Sequence, residues 1–285
     1  MSQIASIVAR EIFDGRGRPT LEVDVALSDG AFGRAAVPSG GSKGRQEVAE
    51  LRDPPAGPYG GLGVGRAVAM VTEVIGPALR GLDASRQVTL DARLLSLDGT
   101  DTKRNLGGNA ILGVSVAGAR AAAASARMPV YAHLGGPGTT LLPVPLFDVL
   151  NGGAHADNRL DLEEVMIAPI GAPTFADALR WGAECFAALR SSLRRKGHRT
   201  SLGDGGGFAP DLAGNEEALE LVVEAAAEAG FVVMKETSGE QERVEPRGAL
   251  SGPERLKPVP VILCLSGRWD HEVMRYRGRT GCSHS

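Results

Sequence analysis

The stretch LEVDVALSDGAFGRAAV, Leu21 to Val37, decides how the first part of this chain folds. LEVDVAL alternates apolar and polar side chains with period two, as a half-buried strand does. Asp29-Gly30 is a turn dipeptide, and FGRAAV returns as a second strand, so the segment reads as an antiparallel meander. Downstream the period lengthens to that of a helix. Val68, Val71, Ile75 and Leu79 fall on one face, a second helix is expected around Ser85 to Leu97, and an alanine-rich one from Asn109 to Ala126. Residues 1–135 therefore read as an α+β unit.

After the loop LGGPGTT comes a strand-like run, LLPVPLFDVL (Leu141 to Leu150), and then VMIAP (Val165 to Pro169). A long helix should follow, because Phe175, Leu179, Gly182, Phe186, Leu189 and Leu193 step by four and three. TSLGD (Thr200 to Asp204) reads as a short strand, and Asn215 as the cap of a helix ending at Gly230. Strands alternating with helices over 136–230 suggest the start of a parallel α/β domain. Past Phe231 no helical stripe continues, and VPVILCL (Val259 to Leu265) is the one strand candidate of residues 231–285, which read as a divergent and solvated or disordered tail.

Composition narrows the function classes. With 285 residues, 43% hydrophobic and 23% charged, the chain can bury a sizeable core. A net charge of -3 gives no global basic field of the kind that holds nucleic acid or an anionic membrane, so a small molecule or another protein is the expected partner. Three cysteines without a CxxC spacing suggest neither a disulfide framework nor a zinc site, and a reducing compartment fits. The first residues lack the apolar core of a signal peptide and no long apolar run occurs, which reads as cytoplasmic.

Four glycine-rich or polar loops carry the chemistry: PSGGSKG (Pro38 to Gly44), LGGNAILG (Leu106 to Gly113), LNGGAHADN (Leu150 to Asn158) with LEEVMIAP (Leu162 to Pro169), and GDGGGFAP (Gly203 to Pro210). Together with DGRGRPTLEVDV (Asp14 to Val25) they resemble enolase, the phosphopyruvate hydratase family, over residues 3 to about 230. The resemblance implies an α/β protein: an α+β N-terminal domain, then an α/β barrel of mixed topology, incomplete in this chain. It also implies Mg²⁺-dependent dehydration of 2-phosphoglycerate to phosphoenolpyruvate in glycolysis, in a protein that dimerises. Removing a weakly acidic proton beside a carboxylate calls for cations to meet the developing charge.

Residue by residue, the resemblance places Ser42 at a serine that ligates the second magnesium. His155 falls at a histidine that closes over the substrate, and Glu164 at a carboxylate near the departing hydroxyl. Gly205 falls where the family carries the glutamate that protonates the leaving hydroxide, so that side chain is missing. The lysine base, the carboxylates of the first magnesium and the phosphate-holding arginine and serine lie beyond the matching stretch. Lys235, Lys257, Glu254, Asp270 and Glu272 stand in no family context. Other departures are Lys43 in place of threonine, Asp148 in place of asparagine and Glu163 in place of glutamine.

Plainer readings stand beside these. Gly205 is also a flexible loop glycine, His155 a loop histidine bonded to backbone, Glu163-Glu164 a solvated strand end and Ser42 a turn residue. Gly61, Gly63 and Gly65 give a dinucleotide-like pattern that follows no strand and is set aside. Arg268, Arg275, Arg277 and Arg279 with Trp269 and Tyr276 fit a solvated tail better than an RNA contact. The expectation is an enolase-family chain with impaired or absent catalysis, its carboxy-terminal half replaced as by a frameshift. Two alternatives stay open: a non-catalytic subunit pairing with an intact enolase, and a reading-frame error in a naturally longer protein.

Overall fold

The computed structural model describes residues 2–40, 47–237, 240–244 and 257–258. The chain divides into two compact units, Met1–Leu141 and Leu142–Ser285. VPVILCL lies outside the described residues, as do Ser42, Lys43 and the tail groups Glu254, Asp270, Glu272, Arg268, Trp269, Arg275, Tyr276, Arg277 and Arg279.

In the first unit, β1 (Ile4–Phe13), β2 (Pro19–Leu27) and β3 (Phe32–Ala36) form an antiparallel sheet in that order. The period-two reading of β2 holds, with Leu21, Val23, Val25 and Leu27 in the core. β1 was not foreseen: a register shift between Ile4 and Ser6 interrupts its alternation. The first helical stretch runs as α1 (Gly65–Ala69), a wider π turn (Met70–Ile75) and α2 (Gly76–Leu79). Val71, Ile75 and Leu79 are fully buried as expected, whereas Val68 is only partly buried and Ala67 takes the inward place. The helices α3 (Gln87–Asp98) and α4 (Gly108–Ser125) follow the expected spans, and a short α5 (Val130–Gly135) comes after them. α4 lies on the sheet so closely that a Cβ on Gly33 would stand 2.2 Å from the Ala117 carbonyl oxygen; only glycine fits there.

In the second unit, β4 (Phe147–Asn151) pairs with β5 (Glu164–Ile167) antiparallel. This corrects the expectation of a parallel start and agrees with mixed topology. The run Leu141 to Leu146 is not strand, and Leu141 is 93% exposed. α6 (Phe175–Arg195) starts at Thr174, whose hydroxyl accepts the Asp177 N–H, and ends in Arg194 and Arg195, both favourable to the helix dipole. Its inward face is Ala178, Trp181, Gly182, Cys185, Leu189 and Leu193, while the expected Phe175 and Leu179 are exposed. The stripe was read one position off at its start because small residues, Ala178 and Gly182, hold the close contacts; a Cβ on Gly182 would fall 2.3 Å from the Phe147 ring.

α7 (Asn215–Glu228) packs on α6, with Lys196 Nζ 2.6 Å from Glu224 Oε2 and Arg195 paired to Glu228. β6 (Phe231–Thr237) continues where alternation was expected to stop, pairing antiparallel with β7 (Glu240–Val244) and parallel with β8 (Lys257–Pro258). Phe231 and Val233 join the second core beside Trp181, so the core extends past residue 230. No helix among the described residues is long and apolar enough to cross a membrane.

Candidate functional site

The site candidates of the second unit gather at the end of β4. Asn151 is fully buried there and paired opposite Glu164, which places the first residue of β5 beside the NGG loop. The chain then makes a single tight turn over Gly153–His155. The His155 Nδ1 lies 3.2 Å from Glu164 Oε1, a charge contact whenever the ring is protonated, although off the line of a hydrogen bond. Both side chains are half-buried at 16% and 19% exposure. His155 is therefore not held by a backbone partner at that nitrogen, as the plainer reading supposed, and Glu164 is not a solvated strand end.

GDGGGFAP forms the opposite wall. TSLGD was expected as a strand, but it folds into a tight hairpin instead: Gly203 N–H donates to Gly207 O at 2.8 Å and Ala209 N–H to Ser201 O at 2.8 Å. Phe208 then lies along β4 in parallel, its N–H on Val149 O and its carbonyl accepting from Asn151 N–H. Its ring is fully buried and stacked on Phe186 at 4.3 Å. This anchor presses three alternate glycines of the hairpin against β4 and the His155 turn. A Cβ on Gly203 would meet Asn151 Cβ at 2.7 Å, one on Gly205 would meet Asp148 Oδ2 at 2.0 Å, and one on Gly207 would meet Leu150 N at 2.6 Å. The Asp204 N–H donates to the His155 carbonyl at 2.9 Å, tying the hairpin to the histidine.

Asp148 is the acid at the centre of this wall. Its Oδ2 accepts from Asn151 Nδ2 at 2.7 Å, and its Oδ1 is buried with no hydrogen-bond partner among the described residues. Burial pushes its carboxyl up from the ordinary range; the Asn151 hydrogen bond works against that, Glu164 adds to the push and His155 opposes it. Three asparagines brace the surroundings. Asn151 Oδ1 accepts the Gly207 N–H at 3.0 Å, and Asn158 Nδ2 donates to Asn151 O and Pro210 O at 2.9 and 3.0 Å. Asn215 was expected to cap α7, but Gly214 occupies the cap position, and Asn215 Oδ1 instead accepts from Asp161 N at 3.1 Å and Leu162 N at 3.4 Å, holding the approach to Glu164. Sequence reading missed these bracing roles, since each of the three asparagines binds a backbone group remote in the chain, at Gly207, Pro210 and Asp161.

Of the residues singled out, His155, Glu164, Asp148 and Gly205 come together, Glu163 adjoins them by facing Gly153, and Ser42 lies outside the described residues. Among the described residues no group of three or more histidine, cysteine, aspartate or glutamate side chains is disposed to hold a metal. A hard divalent cation asks for about six oxygen ligands, so the described donors do not fit a magnesium site.

The fold and this glycine-walled site define an α/β protein of two units, and comparison with known families takes this further. The enolase N-terminal domain matches residues 4–134, and the enolase C-terminal TIM barrel domain matches residues 139–238. The chain belongs to the enolase family. It is 55% identical to the enolase of Kineococcus radiotolerans over 233 residues, 82% of this chain and 54% of that protein. It is 58% identical to the enolase of Acidothermus cellulolyticus over 231 residues, 81% of this chain and 54% of that protein. The chain thus spans about half the length of the curated relatives it matches.

Proposed function

We propose that this chain is a phosphopyruvate hydratase by descent, acting in the cytoplasm, whose own dehydration of 2-phosphoglycerate to phosphoenolpyruvate is severely impaired. The observation that carries the reading is position 205: a glycine stands there, and a Cβ on it would fall 2.0 Å from Asp148 Oδ2. In this reading His155 and Glu164 retain the substrate-facing positions, Ser42 the position of a magnesium ligand, and no group at 205 protonates a leaving hydroxide. The described donors do not make a Mg²⁺ site. Loss of a general acid alone lowers turnover by about 10²- to 10⁴-fold.

The test is a coupled assay for phosphoenolpyruvate from 2-phosphoglycerate and Mg²⁺, on chain purified free of host enolase, beside a full-length family member and a His155→Ala control. The expected turnover is at least about 10²-fold below the full-length protein. Turnover near that of the full-length protein, abolished in the control, would overturn the impaired-enzyme reading. A second reading, a non-catalytic subunit that pairs with itself or with an intact enolase, is favoured by the self-contained core of the first unit, drawn wholly from Ile4 to Ala122. Light scattering of the chain alone and mixed with full-length enolase separates the two.

A further inference from the structure

We propose that Asp148 is a positioning residue for this site and the reason position 205 is bare: its carboxyl group fills the space a side chain at 205 needs, and through Asn151 it holds the glycine hairpin in place. The inference depends on the proposed function only for its bearing on activity.

Three observations converge on it. A Cβ at 205 would lie 2.0 Å from Asp148 Oδ2 and 3.0 Å from Asn151 Nδ2, so the two positions compete for one volume. Asp148 Oδ2 accepts from the Asn151 amide at 2.7 Å, and together with the Glu163 carbonyl at 3.3 Å it turns the Asn151 NH₂ to that side and the amide oxygen to the Gly207 N–H at 3.0 Å. With the amide so oriented, the hairpin is pinned at Gly207, and Asp204 in turn holds the His155 carbonyl. Asp148 thus sets the histidine through two relays of hydrogen bonds.

The buried Oδ1 adds a pH signature. Glu164 faces Asp148 from β5 and His155 from the turn, Asn151 contacts it on its own strand, and the hairpin offers bare backbone at Gly205 and Gly207. Its carboxyl is pushed up in the fold, so the unfolded chain releases this proton first. Stability from this group is therefore greatest below the unfolded value, near 3.8, and falls as pH rises from there through the raised folded value. The contribution is read as wild type minus Asp148→Asn, which cancels the other carboxylates.

The experiment uses the full chain without ligand, so absence of 2-phosphoglycerate turnover leaves it unaffected. Hydrogen exchange of the Gly207 amide and thermal unfolding are followed from pH 4 to 7 in Asp148→Asn, Asp148→Leu, Gly205→Ala and Asp148→Gly/Gly205→Ala. Asp148→Leu, which offers no acceptor, should speed Gly207 exchange about tenfold or more. Asp148→Asn keeps an acceptor in place and should stay close to wild type, with the fall in Tm across this pH range reduced. Gly205→Ala should lower Tm by about 4 °C or more, and adding Asp148→Gly should recover part of that loss. Equal Gly207 exchange in the Asn and Leu variants, an unchanged Tm in Gly205→Ala, or strict additivity in the double variant would overturn the proposal. Should Asp148→Leu fail to fold, Gly205→Ala and its double variant still decide it.

Discussion

Asp24 is only 6% exposed, and it is tolerated there because two guanidiniums reach across the sheet to it. Arg34 Nε and Nη2 approach its two oxygens at 2.7 and 2.9 Å, and Arg10 pairs with it from the other neighbouring strand. The Arg34 hydrogen bond, against the cost of burial and with help from Arg10, holds the carboxyl down at about 2. A depressed carboxylate contributes stability that is present above its unfolded value and lost as pH falls through the folded one. Asp24→Asn should therefore cost about 2 kcal/mol at pH 7, with the difference from wild type closing as pH falls from about 4 to about 2. Urea unfolding of both proteins at several pH values measures it, and a gap independent of pH would show that packing rather than charge holds the network. Asp148 has the opposite sign, because burial raises its carboxyl more than the Asn151 hydrogen bond lowers it, with Glu164 adding to the rise and His155 opposing it. The two aspartates thus report opposite pH dependences, one set by its guanidinium partners and the other chiefly by burial of its carboxyl.

Strand β3 exposes Phe32, Arg34 and Ala36 and turns Gly33 and Ala35 inward, so a residue without a side chain lies where α4 crosses. The obstacle to a larger residue is backbone, the Ala117 carbonyl and the Ala121 amide at 2.2 and 2.3 Å from a Cβ, and backbone in mid-helix cannot step aside as a side-chain end can. Gly33→Ala should therefore destabilise by about 1–3 kcal/mol, the range of overpacked cores, despite the usual gain from removing a glycine. Thermal unfolding checks it, and a neutral or stabilising result would mean that α4 rides further from the sheet. Elements with an unbroken period were legible in the sequence: β2 by its alternation, α3 and α4 by their helical repeat. β1 was not, since its bulge breaks the alternation; nor was the hairpin at Gly203 to Gly207, since the Thr200–Asp204 run has strand composition but turns back on its glycines. In the site, the glycine loops and the choice of His155 and Glu164 as site residues came from the motifs, while their approach to 3.2 Å did not. Nor did the bracing by Asn151, Asn158 and Asn215, because an amide side chain carries no local sign of which remote backbone it will bind.

At the scale of the molecule, the two units differ in how completely they satisfy themselves. The first has a three-stranded sheet with α4 laid across β2 and β3, and its core among the described residues runs from Ile4 to Ala122. The second builds its core from Val149 to Val233 on two separate small sheets, the pair β4–β5, with β4 extended by a bridge to Phe208, and the three strands β7–β6–β8. A barrel sheet removes its edges only by closing, and short sheets with open edges are held less firmly. Unfolding of the full chain should therefore proceed in two steps, the second unit melting first. Residues 1–141 produced alone should unfold cooperatively, with an enthalpy of about 100 kcal/mol near 60 °C for a domain of that length. Their midpoint should lie within a few degrees of the upper transition of the full chain. Calorimetry of both proteins tests this. A fragment that lacks near-ultraviolet dichroism or melts without a peak would show that the first core leans on the second unit, and would remove the observation that favours an independent pairing role for it. A fragment that melts as expected leaves that role to the first unit, whatever becomes of catalysis in the second.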